Sequence, residues 1–356
     1  VLVSLAVLAA VAVAGCGDGG GGAGDPVTLR LLTYDSFPTG GTPLNDALDA
    51  FTATTGTEVE IVVAGDAGTM VSKAVLTAGN PEGDVMWGID DALLSRALDA
   101  GVFERYESTE LDALDPELVA LAPGHEVTPV DAGYVCVNLD IAWFDERGLD
   151  PPTTFDDLAD PAYRDLLVVE DPGASSPGLA FLLGTIEAFG DDGWRGEGWQ
   201  AYWRDLRANG VEVVDSWTTA YYERFSGSSG DGPRPLVVSY ASSPPVEVLF
   251  ADPPRSDAPT ASLPETCVRQ VEFAGVLRGT EHEDEARELV DHLAGAALQS
   301  EIALTLFVHP ARTDVALPEL FTRHSQVPAR TWQVPPAEID AGREAWIDEW
   351  AQIVLR

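Results

Sequence analysis

Positive charge is what this chain has least of. Its 356 residues carry 20 Lys and Arg against 59 Asp and Glu, a net charge of -39. A field of that sign repels phosphate backbones and anionic lipid headgroups, so nucleic acid is excluded as a partner. A cationic or metal ligand is compatible with it, although solubility in a salty or acidic setting explains the same balance. Histidine is scarce too, with five scattered copies, and no HExxH, Walker A, GxSxG or GxGxxG motif is present. A metalloenzyme and an NTPase are therefore disfavoured, and the sequence asks for no cofactor and no bound metal. What is present is a globular composition, 45% hydrophobic and 22% charged, on a chain long enough for two domains.

The first 15 residues, VLVSLAVLAAVAVAG, are apolar but too short to span a bilayer as a helix. They close on Cys16 in a Val-Ala-Gly-Cys run that resembles the lipobox of bacterial lipoprotein signals. That resemblance implies a signal peptide over residues 1–15, lipidation of Cys16, and a flexible Gly-rich tether over 16–26. No basic segment precedes the apolar run, so the true start is expected upstream of Val1. Two further cysteines, Cys136 and Cys267, stand in a chain read as exported, where a disulfide is the first expectation; the sequence alone does not establish that they approach each other.

From Val27 onward strands and helices alternate, which points to an α/β fold with a largely parallel sheet. VTLRLLTY (27–34), VEIVVAG (59–65) and DVMWGI (84–89) read as strands. Thr42-Pro43 opens a helix with Leu44, Ala47, Leu48 and Phe51 on one face, ended by Gly56. A polar cluster follows each strand: Tyr34-Asp35-Ser36, then Gly65-Asp66-Ala67-Gly68-Thr69, then Gly88-Ile89-Asp90-Asp91. A turn and a helix cap account for any one of them. Their recurrence after successive strands places them together, because carboxyl-end loops of parallel strands converge on one edge of a sheet.

The second half repeats the pattern. LLVVED (166–171) reads as a strand and PGASSPG (172–178) as a turn before an apolar helix closed by Gly190; Ser175 and Ser176 at its start could hold an oxyanion or simply cap it. Trp194, Trp199 and Trp203 read as packing residues of a helix running to Asn209. In VVDSWTTAYY (213–222) a β-branched run meets the helix start Asp215-Ser216, and Trp217, Ala220 and Tyr221 follow at helical spacing. Paired aromatic faces at the end of a strand suit a flat cation, while ordinary core packing is the plainer alternative. PLVVSY (235–240) ends in a further cluster, Tyr240-Ala241-Ser242-Ser243. CVRQVEFAGVL (267–277) alternates as a strand does and could lie beside Tyr134–Asp140, making the two runs crossovers of a hinge. Thr280 with Glu283 reads as a capping box, and 298–356 as short helices ending in one with Ala345, Trp346 and Ile347 near its packing side. Adjacent Tyr221 and Tyr222 raise ferric iron as a cargo, provided the helix begins or breaks there.

The segments LLTYDSF, GDAGT, NPEGDVMWGIDDALL, DPGASSPGLAFLL, SWTTAYYERF, LVVSYASSP and REAWIDEWAQ, in this order, resemble the substrate-binding protein of the bacterial thiamine ABC transporter. The resemblance runs from about Leu29 to the C-terminus. It implies a type II periplasmic-binding-protein fold with one lobe from 27–134 and 267–356 and another from 135–266. It also implies a monomer that delivers thiamine or a thiamine phosphate to a permease without chemistry. By this resemblance Trp217, Tyr221 and Tyr240 stack on the cationic ring, and Tyr34, Asp35, Asp66 and Asp90 supply polar contacts. Gly65, Gly68, Ser175 and Ser176 hold the hydroxyethyl or phosphate end, with Ser242 beside Tyr240. Where the family carries a Trp shortly before a late Pro, this chain has Phe307 before Pro310. Alternatives within the same fold are an iron- or polyamine-binding protein, or an enzyme resembling thiaminase I with Cys136 as nucleophile.

Overall fold

The computed structural model describes residues 26–228 and 232–356; the expected leader, Cys16 and nearly all of the tether lie outside the described residues. The first unit behaves as its sequence dictates. Strand β1 (Thr28–Thr33) leads to helix α1 (Pro43–Thr55), where Thr42 and Asn45 cap each other reciprocally, Pro43 occupies the first turn and Gly56 ends the helix at φ 81°. Strand β2 (Glu58–Val63), helix α2 (Ala67–Leu76), strand β3 (Val85–Asp90) and the short helices α3 (Leu94–Asp99) and α4 (Pro116–Val119) follow.

A 13-residue strand, β4 (Thr128–Asp140), then leads into α5 (Ile141–Arg147), α6 (Phe155–Leu158), β5 (Leu167–Glu170), α7 (Ser176–Phe189), α8 (Gly198–Ala208) and β6 (Glu212–Val214). After a π-helical segment, Thr219–Arg224, come β7 (Leu236–Tyr240), α9 (Pro244–Leu249), β8 (Thr260–Ser262) and β9 (Val268–Val276). The chain ends in α10 (Glu283–Ala294), α11 (Ala296–Thr305), β10 (His309–Pro310), α12 (Glu319–His324) and α13 (Pro336–Val354).

The main sheet runs β2-β1-β3-β9-β4-β7-β5-β6, with β8 and β10 paired to β4. Two parallel groups, β2-β1-β3 and β7-β5-β6, flank an antiparallel centre made by β9 and β4. Val135 pairs with Val268 on β9 and with Tyr240 on β7, so β4 passes from one group to the other at that residue. One residue further on, Cys136 is bonded to Cys267 across 131 residues of chain, which ties the two crossover strands together. This α/β arrangement, with a curled sheet and flanking helices, is type II periplasmic-binding-protein-like.

Apolar burial is divided in the same way. Leu29, Leu31, Leu44, Phe51, Trp87 and Leu293 pack on the β1 side, while Phe155, Phe181, Trp199, Tyr202, Trp203 and Trp350 pack on the β5 side. Burying each such side chain contributes about 1.5–3 kcal/mol.

Several sequence expectations change here. Trp194 is buried as a packing residue but precedes α8. Pro177 and Gly178 lie inside α7 and not in the turn before it. The Thr280–Glu283 box does not form, because the Thr280 hydroxyl donates to Asp84 and accepts from the His282 N–H, so long-range pairing displaces the local cap. The last helix is long, 19 residues, and Ala345 faces solvent. Its buried stripe is Ile339, Arg343, Trp350 and Val354. Through it α13 bridges the two sides: Trp350 meets Trp203 edge-on at 5.5 Å, and Arg343 donates to the Ala92 carbonyl at 3.0 Å.

Candidate ligand-binding site

The chain beyond β6 turns sharply at Ser216, whose hydroxyl accepts from the Thr219 N–H at 3.2 Å. The following turns wind more widely than an α-helix, with Phe225 N–H reaching the Ala220 carbonyl five residues back. In such a winding the fifth residue, and not the fourth, returns to the side of the first. Tyr222 therefore joins Trp217 facing the open space, and Tyr221 goes beneath. The rings of Trp217 and Tyr221 stack face to face at 5.0 Å and 14°. Tyr221 is wholly buried and its hydroxyl donates to Glu247 at 3.0 Å. The expectation that Tyr221 offers a face to the ligand, which rested on α-helical spacing, is thus corrected: Tyr221 backs Trp217, and Tyr222 takes the outward place. Trp217 is further fixed by its indole N–H, which donates to Ser239 Oγ at 2.9 Å.

Facing this wall are the ends of β1, β2 and β3. Asp66, at the start of α2, accepts from the Ala67 N–H at 2.6 Å and from the Trp217 N–H at 3.0 Å, joining the two sides of the site. Burial pushes its pKa up to about 6, against the pull of the Trp217 N–H. Asp35 accepts from the Thr218 hydroxyl at 3.2 Å. Beneath them Tyr34 lies over Gly88 and Tyr240 over Gly133; a Cβ at either glycine would enter the ring above it. Strand β9 runs between β3 and β4, so its Glu272 sits between those two rings.

Together these groups line a cavity of about 490 Å³, within the usual range of about 300–1,000 Å³ for small-molecule sites. Tyr34, Asp66, Trp217, Tyr222, Tyr240 and Glu272 supply its aromatic and acidic surface, and Phe250 and the 304–308 segment, including Phe307, close one end. No Lys, Arg or His lines it.

The family model for bacterial extracellular solute-binding proteins matches residues 46–329. The chain belongs to that family. Over 333 residues this solute-binding protein is 28% identical to the thiamine-binding periplasmic protein of Escherichia coli (strain K12), covering 92% of this chain and 94% of that one. Its structure is similar to that of a periplasmic thiamin binding protein, with a TM-score of 0.79, 26% identity, and 94% and 98% of the two chains covered. Iron-bound HitA from Pseudomonas aeruginosa shares the fold at a TM-score of 0.69 and 19% identity, over 92% and 99% of the chains.

Of the residues named from sequence, Tyr34, Asp66, Ser176, Trp217, Tyr240 and Phe307 line the cavity of this solute-binding protein. The others surround it without lining it. Gly65 and Gly68 shape the start of α2, where a Cβ on Gly68 would strike the Ala174 carbonyl. Asp90 is buried and accepts from the Leu93 N–H at 2.8 Å and from Gln270 at 3.4 Å. Ser175 is buried, and Ser242 donates to the Phe307 carbonyl, holding that residue at φ 55°.

Two cavity residues escaped the sequence reading. Tyr222 was hidden by the assumption of an α-helical period. Glu272 was hidden in an alternating run, although a carboxylate inside an otherwise apolar crossover strand, buried along nearly its whole length, is itself a signal. Cys136 is buried and bonded to Cys267, so the thiolate that a thiaminase I-like reading requires is not available. The adjacent tyrosines diverge, one to Glu247 and one to the cavity, which removes the paired phenolates of the iron reading.

Proposed function

We propose that this solute-binding protein captures thiamine, or a thiamine phosphate, outside the membrane and presents it to an ABC transporter permease. The observation that carries the reading is the cavity's composition: aromatic faces of Trp217, Tyr222 and Tyr240 set against the carboxyl groups of Asp66 and Glu272, with no basic side chain among the lining residues. A ring cation desolvated against such faces gains about 0.5–2 kcal/mol per contact. The thiamine-binding names of the relatives point to the same ligand. A polyamine would leave flat rings unmatched. The lack of a cation for an anionic tail favours unphosphorylated thiamine, although Ser176 and the first turn of α7 offer N–H and hydroxyl donors to a terminal group.

In this reading the lobes are 27–134 with 267–356, and 135–266, hinged where β4 changes partners at Val135. Asp66 to Trp217 and Asp35 to Thr218 are the latches of a closed, ligand-favoured state that a permease reads. The protein acts as a monomer, lipid-anchored through Cys16. Titration calorimetry of residues 26–356 with thiamine, thiamine monophosphate and thiamine diphosphate tests the reading. Binding of thiamine with the tightest affinity of the three is expected, and no heat from any of them overturns it.

A further inference from the structure

Glu272 has an environment unlike that of any other carboxylate lining the cavity. It is about nine-tenths buried, it lines the cavity, and its Oε2 has no hydrogen-bond partner. Its cross-strand neighbours are also acids. Asp90 is opposite it on β3 and Asp131 opposite it on β4, both buried. Asp131 has one oxygen bound to the Trp87 indole N–H at 3.1 Å and the other without a partner. Three carboxyl groups thus stand abreast across three neighbouring strands.

Such a row is expensive to ionise. Charged carboxylates lose water's solvation on burial and repel one another at this spacing, so the set retains protons until a cation arrives. The groups facing Glu272 are Tyr34 at the end of β1, Asp66 at the start of α2, Asp90, Asp131 and Tyr240 of β7, of which none is a cation. The cationic side chain acting on the row is Arg343, on the Asp90 side. Burial, and then Asp131, Asp90 and Asp66, raise the Glu272 pKa well above the ordinary carboxylate range, and burial raises that of Asp131. The neighbouring rings make the same space attractive to a flat cation, because Tyr34 and Tyr240 stand on either side of Glu272 over glycines that admit them.

We propose that Glu272 is the residue that recognises the positive charge of the bound ring, and that the proton held by Glu272 and Asp131 leaves for solvent when that cation enters. This deepens the reading of the site as a thiamine site: the chain exchanges H⁺ for a ring cation at one carboxyl group, with no net charge buried. The proton is the only species released, and no bond other than its O–H is broken.

The test is calorimetry with thiamine at pH 7 in two buffers of different ionisation enthalpy, on the wild-type chain, Glu272→Gln and Asp131→Asn, with circular dichroism as the check on folding. The wild type is expected to release close to one proton per thiamine. Glu272→Gln should bind at least tenfold more weakly and release none. Asp131→Asn, by relieving the repulsion, should bind as tightly or more tightly while releasing much less. Wild-type affinity and proton release in Glu272→Gln would overturn the inference. Should the wild type give no heat with thiamine, the ligand reading falls. The proton claim is then judged on ligand-free protein by the infrared difference spectrum of wild type minus Glu272→Gln at pH 7. A protonated-carboxyl band upholds it, and the absence of that band refutes it.

Discussion

The β5 side of the molecule holds two aromatic assemblies made from the same residue types, and they do different work. In the first, Trp194, Trp199, Tyr202, Trp203 and Trp350 meet Phe155, Phe181 and Phe189 mostly edge to face, and every ring is buried. Their N–H groups are largely satisfied internally, as with Trp203 to Thr185 at 2.9 Å and Trp194 to Asp205 at 3.0 Å. In the second, Trp217 is stacked on Tyr221 and bonded to Ser239, which leaves one flank toward the cavity beside Tyr222 and Tyr240. Both assemblies are preorganised, but only the second has carboxyl groups opposite. Recognition here is distinguished from packing by what faces the ring and not by the ring itself.

That contrast can be broken by mutation. The largest effect is expected on the seam between the two sides: replacing Cys136 and Cys267 by Ser opens a loop of 131 residues and should lower stability by about 4–5 kcal/mol on the chain-entropy view, read as a fall in the urea midpoint. Trp203→Ala should come next, at about 3–5 kcal/mol of stability, again by urea unfolding, with thiamine affinity of the folded fraction kept. Trp217→Ala should reverse the pattern: about 2 kcal/mol of binding free energy, near thirtyfold in Kd, is lost by calorimetry while the urea midpoint moves little. Equal losses of stability and binding in both Trp variants would erase the distinction.

Smaller effects sharpen it. Asp66 has a folded pKa of about 6 against an ordinary 3.8, so the folded chain holds the proton more tightly than the unfolded one. Its contribution to stability is therefore greatest at low pH and diminishes as pH rises through about 6, while its charge, and with it affinity for a cation, grows over the same interval. Thiamine Kd measured from pH 5 to pH 8 should tighten several-fold, and Asp66→Ala should flatten that portion of the curve. Tyr222→Ala should weaken binding by about 1 kcal/mol. Tyr221→Phe should instead act on stability, by about 1 kcal/mol through the lost bond to Glu247, with little change in Kd.

Much of the frame was legible in the chain. Thr42-Pro43 and Gly56 bound α1 because capping is a local matter of three or four residues. The clusters at Tyr34, Asp66 and Tyr240 converge because parallel strands bring their carboxyl ends to one edge. Trp217 was legible for the same reason. Tyr222 was not, since a shift from α to π winding is decided by what the segment packs against. The Thr280–Glu283 pair failed because a distant residue, Asp84, competes for the same hydroxyl.

The sequence by itself determined the α/β alternation, the acidic balance, the crossover runs and most of the ring-bearing loops, all of which depend on periodicity and on residues close in the chain. Only the tertiary structure decided that Glu272 lies between Tyr34 and Tyr240 with Asp90 and Asp131 abreast. Those residues come from five separate strands or strand ends, and their meeting is fixed by strand order and register. Local pattern carries no record of which strands become neighbours.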